Sequence, residues 1–103
     1  FKENCPDLRN TRVLDVIKAL HRYRIEPVLV DPWVDANEAL REYGLTVQEE
    51  IPAYHSYSAV VVAVAHRQFV EISPASWRGF LLEEGVLLDL KGVVPRSLQP
   101  MRL

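Results

Sequence analysis

A chain of 103 residues, 49% of them hydrophobic, is long enough to bury one real core and too short for two. Its formal net charge of -2, with 25% charged residues, supplies no global basic field to hold nucleic acid or an anionic membrane, so any anion site must be local. A single cysteine excludes an internal disulfide, and the long uncharged run from Ile51 to Ala65 falls short of the about 20 residues a membrane span needs. No secretory pattern opens the chain, which makes the cytoplasm the expected compartment, and a start at Phe1 reads as a piece of a longer polypeptide.

The opening stretch, Phe1 to Arg12, is polar and carries three cations, Lys2, Arg9 and Arg12, against two acids. Asn10 or Thr11 is suited to cap the helix that follows, and the free amides of a helix start also favour an anion. This is a phosphate-facing arrangement, although spacing alone favours the plainer reading of an exposed loop that is simply charged. From Thr11 to about Tyr23, Val13, Val16, Ile17 and Leu20 recur on one helical face, with Arg24 standing where glycine or asparagine would mark the stop. Pro27 to Asp31 reads as a short buried strand ended by Pro32. Asp35 with Glu38 three residues on predicts a capped helix over Ala36–Tyr43, closed by Gly44.

Leu45-Thr46-Val47 suits a brief strand, and Gln48 to Tyr57 reads mostly as loop. Ala59 to Ala65 is continuous, small and β-branched, which predicts a strand buried on both faces at the sheet's centre. Ser73-Pro74 opens a helix through Trp77, Phe80 and Leu81 toward Gly85, Val86 to Asp89 is the last predicted strand, and the tail after Val94 is expected to be irregular. Alternating helices and strands predict an α/β fold: a Rossmann-like, three-layer open parallel sheet with helices on both faces, built by residues 1–103 as a single domain.

In such sheets ligands gather beyond the carboxyl ends of strands, which singles out the loops after Asp31, Ala65 and Asp89. The third is the best candidate, because Asp89-Leu90-Lys91-Gly92 places a cation past a strand beside a glycine that lets backbone approach a ligand. Read alone, Lys91 is also an ordinary solvated lysine. The only glycines are Gly44, Gly79, Gly85 and Gly92, so the glycine-rich turn of a dinucleotide site is missing and Asp31-Pro32 is turn chemistry. Cys5 has no neighbouring histidine, and His21, His55 and His66 lack metal-ligand spacing, so neither a catalytic residue nor a metal site is assigned. Trp33, Trp77, Tyr23 and Phe80 read as packing residues.

Phe1-Lys2, then Asp7-Leu8-Arg9 and a helix, then Val30-Asp31-Pro32, Ala63-Val64-Ala65-His66 and Asp89-Leu90-Lys91-Gly92 together resemble the carboxy-terminal domain of the UDP-glucose/GDP-mannose dehydrogenase family. The opening Phe1 to Asn10 resembles in particular the bacterial branch acting on UDP-N-acetylhexosamines for capsule and O-antigen. The resemblance implies a parent enzyme that oxidises a sugar C6 alcohol to a carboxylate with two NAD in succession. It implies an amino-terminal Rossmann domain, a central dimerisation region and this domain as the nucleotide-sugar cap, in a homodimer or larger assembly. By resemblance, Phe1, Lys2 and Lys91 hold the UDP-sugar and Arg9 reaches NAD, while the catalytic cysteine lies in a segment absent here, so the fragment alone is expected to be inactive. Lysine's mobile point charge and arginine's planar fork suit those two roles. The residues alone leave open two other classes: a stand-alone Rossmann-like module for another phosphorylated ligand, and a purely structural interaction domain.

Overall fold

A computed structural model of the chain describes residues 13–52 and 54–102. The opening loop, with Phe1, Lys2, Cys5, Arg9 and Arg12, lies outside the described residues. The chain divides into two compact units, Phe1–Glu50 and Ile51–Leu103.

The first unit begins with helix α1, Val13–Arg22, whose buried residue is Ile17. Of its expected apolar face, Val13, Ile17 and Leu20 turn inward at least in part while Val16 is exposed, and its end explains the missing glycine. Arg24 itself adopts the left-handed conformation, with φ 60°. Its amide donates to the His21 carbonyl while that of Ile25 donates to Leu20, so the last carbonyls are satisfied at the cost of about 1 kcal/mol of backbone strain. Tyr23, expected in packing, is 80% exposed, because it follows the helix into that turn.

Strand β1 (Leu29–Val30) and strand β2 (Val47–Gln48) pair in parallel, Leu29 opposite Val47, joined through helix α2 (Ala36–Tyr43). The strand expected from Pro27 to Asp31 is thus shorter, and Val28 is largely exposed. Helix α2 has the expected bounds because both its signals are local: the Asp35 carboxylate accepts from the amides of Asn37 and Glu38, and Gly44 turns left-handed at φ 66°.

The second unit is a parallel sheet in the order β3-β4-β5, with β3 at Tyr57–Val62, β4 at Leu81–Asp89 and β5 at Met101–Arg102. Helices α3 (Arg67–Val70) and α4 (Pro74–Phe80) connect β3 to β4, and a single 3-10 turn, Arg96–Leu98, leads to β5. The core gathers Val62, Trp77, Phe80, Leu87 and Val94. Trp77 meets Phe80 edge-on at 5.9 Å, and each buried ring of that size contributes about 1.5 to 3 kcal/mol of apolar transfer.

Three expectations are corrected here. The strand predicted at the sheet's centre, over Ala59 to Ala65, ends at Val62, and β4 takes the central place. Val61 is 41% exposed, so a run of small β-branched residues did not require burial on both faces. The helix opened by Ser73, whose hydroxyl accepts from the Ser76 amide, stops at Phe80, and β4 begins at once with Leu81. Gly85 is therefore not a helix stop. Tyr57 faces Leu81 but Ala59 faces Val86, so β4 bulges between them, and a Cβ on Gly85 would lie 2.9 Å from the Tyr57 carbonyl oxygen; only glycine allows that approach. The tail expected to be irregular supplies β5, pairing Asp89 with Arg102. Parallel pairing throughout the described strands, with helices or turns in the connections, is the α/β, Rossmann-like class.

Candidate functional site

Because β3, β4 and β5 run in parallel, their carboxyl ends share one edge, where Val62, Asp89 and Arg102 stand in register. The chain leaving β4 there is a turn built on one carboxylate. Asp89 is 1% exposed, and its Oδ1 accepts from the amides of Lys91 at 3.2 Å and Gly92 at 2.9 Å. Its Oδ2 accepts from the Val94 amide at 2.8 Å and lies 3.4 Å from Nη2 of Arg102. The same guanidinium donates to the Val94 carbonyl. The other end of the turn is fixed where the Leu90 amide donates to the Val62 carbonyl at 3.0 Å.

Burial alone would push the Asp89 carboxyl up, but the amides of Val94, Val93, Lys91 and Gly92 outweigh it and hold the pKa below the ordinary 3.8. Asp89 is therefore a fixed anion, fully used inside the turn, and no proton donor near neutrality. What the turn offers outward is different. Lys91 and Gly92 are exposed, Gly92 has φ +76° with nothing within 4 Å of where a Cβ would stand, and Lys91 makes no ion pair among the described residues. A mobile cation beside an open, side-chain-free backbone is suited to an anionic or hydroxyl-rich ligand.

The other two strand-end loops behave differently. Asp31, 2% exposed, accepts on Oδ1 from the amides of Trp33 at 2.8 Å and Val34 at 3.1 Å, which is the turn chemistry expected of Asp31-Pro32. His66 is fully buried, heads α3 and packs its ring 5.5 Å from Phe69; it is a packed residue and presents nothing outward. Trp77 and Phe80 are core, as expected of packing residues. A concavity beside the β4 bulge, touched by His55, Arg78 and Glu83, runs along β4 from Leu81 to Leu87 and does not include Asp89 or Lys91.

Of the residues expected at the ligand, the structure places Lys91 at the sheet's carboxyl edge; Phe1, Lys2 and Arg9 lie outside the described residues. Sequence reasoning missed Arg102. A two-residue strand has no periodicity to detect, and the only local signal, Pro100 before Met101-Arg102, biases the backbone without announcing a sheet partner.

Comparison of the sequence with known proteins places it in a named group. The model of the UDP-glucose/GDP-mannose dehydrogenase family, UDP binding domain, matches residues 1–96. The chain is 48% identical over its full length to UDP-N-acetyl-D-glucosamine 6-dehydrogenase from Salmonella typhi and 41% identical to the protein of that name from Pseudomonas aeruginosa, covering 24% of each. It is 33% identical over 94 residues to protein CapL of Staphylococcus aureus, covering 91% of this chain and 22% of CapL. No solved structure gives a significant match. The chain spans about a quarter of the length of these relatives, and it belongs to the UDP-glucose/GDP-mannose dehydrogenase family, whose UDP-binding domain it carries.

Proposed function

We propose that residues 1–103 act as one nucleotide-sugar-binding domain, the carboxy-terminal part of a cytoplasmic, NAD-dependent UDP-sugar 6-dehydrogenase that serves capsular or O-antigen polysaccharide synthesis. The observation that carries this reading is the 48% identity across the whole chain to a UDP-N-acetyl-D-glucosamine 6-dehydrogenase. The reaction removes two hydrides from the C6 carbon of a UDP-hexose or UDP-N-acetylhexosamine. One alcohol, one water and two NAD+ give a carboxylate, two NADH and three protons. NAD, held mainly by the rest of the enzyme, supplies the hydride acceptor when bound.

The work of this domain is recognition. Lys91 meets the nucleotide sugar with a flexible ammonium, and Gly92 lets the ligand approach the backbone; a charge-assisted contact of that kind contributes about 1.5 to 3 kcal/mol. Phe1 and Lys2 hold the same ligand and Arg9 reaches toward NAD, as the family resemblance implies. The other domains of the chain and a second subunit are the natural partners of such a cap. The test is to assay the full-length protein against a panel of UDP- and GDP-sugars by NADH formation. Turnover with a UDP-sugar, UDP-N-acetylhexosamines first, is expected; turnover restricted to GDP-sugars, or none with any, overturns the proposal.

A further inference from the structure

The turn that carries Lys91 is held at both ends, and one hold comes from a strand eleven residues beyond Lys91. At its start, Leu90 is tied to Val62. At its finish, Val94, 1% exposed, is gripped twice: its amide donates to Asp89 and its carbonyl accepts from Arg102. Arg102 also pairs with the Asp89 carboxylate, so Asp89, Val94 and Arg102 close a triangle under the exposed Lys91-Gly92 tip. The β4–β5 ladder sets Arg102 in register with Asp89, so the guanidinium reaches both partners from a backbone position the sheet fixes. A single nitrogen, Nη2, makes both contacts, to the Asp89 carboxylate and to the Val94 carbonyl, and the guanidinium that carries it stays charged at any working pH.

We propose that Arg102 is a positioning residue for ligand recognition by Lys91: it never touches the nucleotide sugar, but through Asp89 and Val94 it fixes the turn so that Lys91 and Gly92 are already arranged when the ligand arrives. This rests on the reading that the Lys91-Gly92 turn meets the nucleotide sugar. Preorganisation of this kind raises affinity by removing the ordering cost from the binding step. Its loss leaves the fold standing, since Asp89 keeps three amide donors and the Arg102 side chain is already 29% exposed.

The test uses the full-length dehydrogenase, with UDP-sugar and NAD varied in turn. Arg102→Ala should raise KM for the UDP-sugar about ten-fold, leave kcat within about three-fold and leave KM for NAD unchanged. Arg102→Lys, which keeps the charge on Asp89, should recover part of that loss. Amide exchange at Lys91 and Gly92 should quicken in Arg102→Ala without a matching loss of melting temperature. Lys91→Ala is measured beside it as the benchmark. If Lys91→Ala leaves the sugar KM unchanged, the reading of the turn fails and the positioning role falls with it. If Lys91→Ala raises the sugar KM while Arg102→Ala does not, the positioning role alone is overturned. Equal losses toward both substrates with a lowered melting temperature would make Arg102 merely structural. Should Arg102→Ala fail to fold, Arg102→Gln, which keeps a donor for Val94 without the charge, decides the same question.

Discussion

Two turns in this molecule are made by the same device and put to different use. Asp31 and Asp89 each end a parallel strand, each is buried, and each folds its carboxylate back onto amides two and three residues ahead. After Asp31 the turn contains Pro32 and the half-buried Trp33 and runs on to Asp35 and helix α2. After Asp89 it contains an exposed lysine and an open glycine, and its far end is tied down again through Val94 and Arg102. The carboxylate supplies the turn, and the residues enclosed within it decide whether the turn connects elements or presents a charge.

The largest expected difference between the two lies in what removing the carboxylate does. Asp89→Ala orphans three amides and leaves Arg102 facing a void, costing about 3 kcal/mol. Asp31→Ala should cost about 1 to 3 kcal/mol and release a different set of amides. Amide exchange is the suitable measurement, since two compact units need not unfold in one transition. The released amides should be those of Lys91, Gly92 and Val94 in the first variant and of Trp33 and Val34 in the second, and equal, unlocalised losses would break the comparison. The Asp89 turn also has an acid limit. Its folded pKa lies below the ordinary 3.8, so the stability it contributes is complete above about that pH and is lost as the pH falls through the lowered value. A pH series of exchange at Val94 that stays flat through this window would contradict the fixed anion.

Function sharpens the contrast next. Lys91→Ala in the full-length protein should leave stability unchanged and weaken the UDP-sugar by about 1.5 to 3 kcal/mol, roughly ten- to a hundred-fold in its KM. Gly92→Ala should do less, because the added methyl meets no protein atom within 4 Å and the positive φ costs about 1 kcal/mol; a complete loss of binding would mean that the ligand approaches Gly92 too closely to admit even a methyl. Smallest of all is Cys5→Ser, expected to leave turnover within a few-fold in steady-state assays, because the family resemblance puts the reactive thiol in another part of the proposed enzyme.

What was legible in the sequence follows the range of the interactions. Helix α2 was fully legible, since Asp35, Glu38 and Gly44 act within a turn of its ends. So was the opening of α4 at Ser73-Pro74, and the Lys91-Gly92 turn declared itself through four adjacent residues. The early start of β4 was not: Leu81 to Glu84 suit a helix locally, and pairing with Tyr57 across the sheet overrides that preference. Gly85 gave a true signal that was misassigned, marking a close approach to the Tyr57 carbonyl where a helix stop was expected. Arg102 was invisible because its contacts to Asp89 and Val94 arise only from the β4–β5 pairing.

The central claim is that the Asp89 turn, and not its counterpart at Asp31, meets the nucleotide. Hydrogen exchange of the full-length protein with and without UDP tests it most directly. The account predicts that UDP slows exchange at Lys91, Gly92 and the residues up to Val94 while the amides of Trp33 and Val34 stay unchanged. Protection at the Asp31 turn with none between Leu90 and Val94 would contradict it.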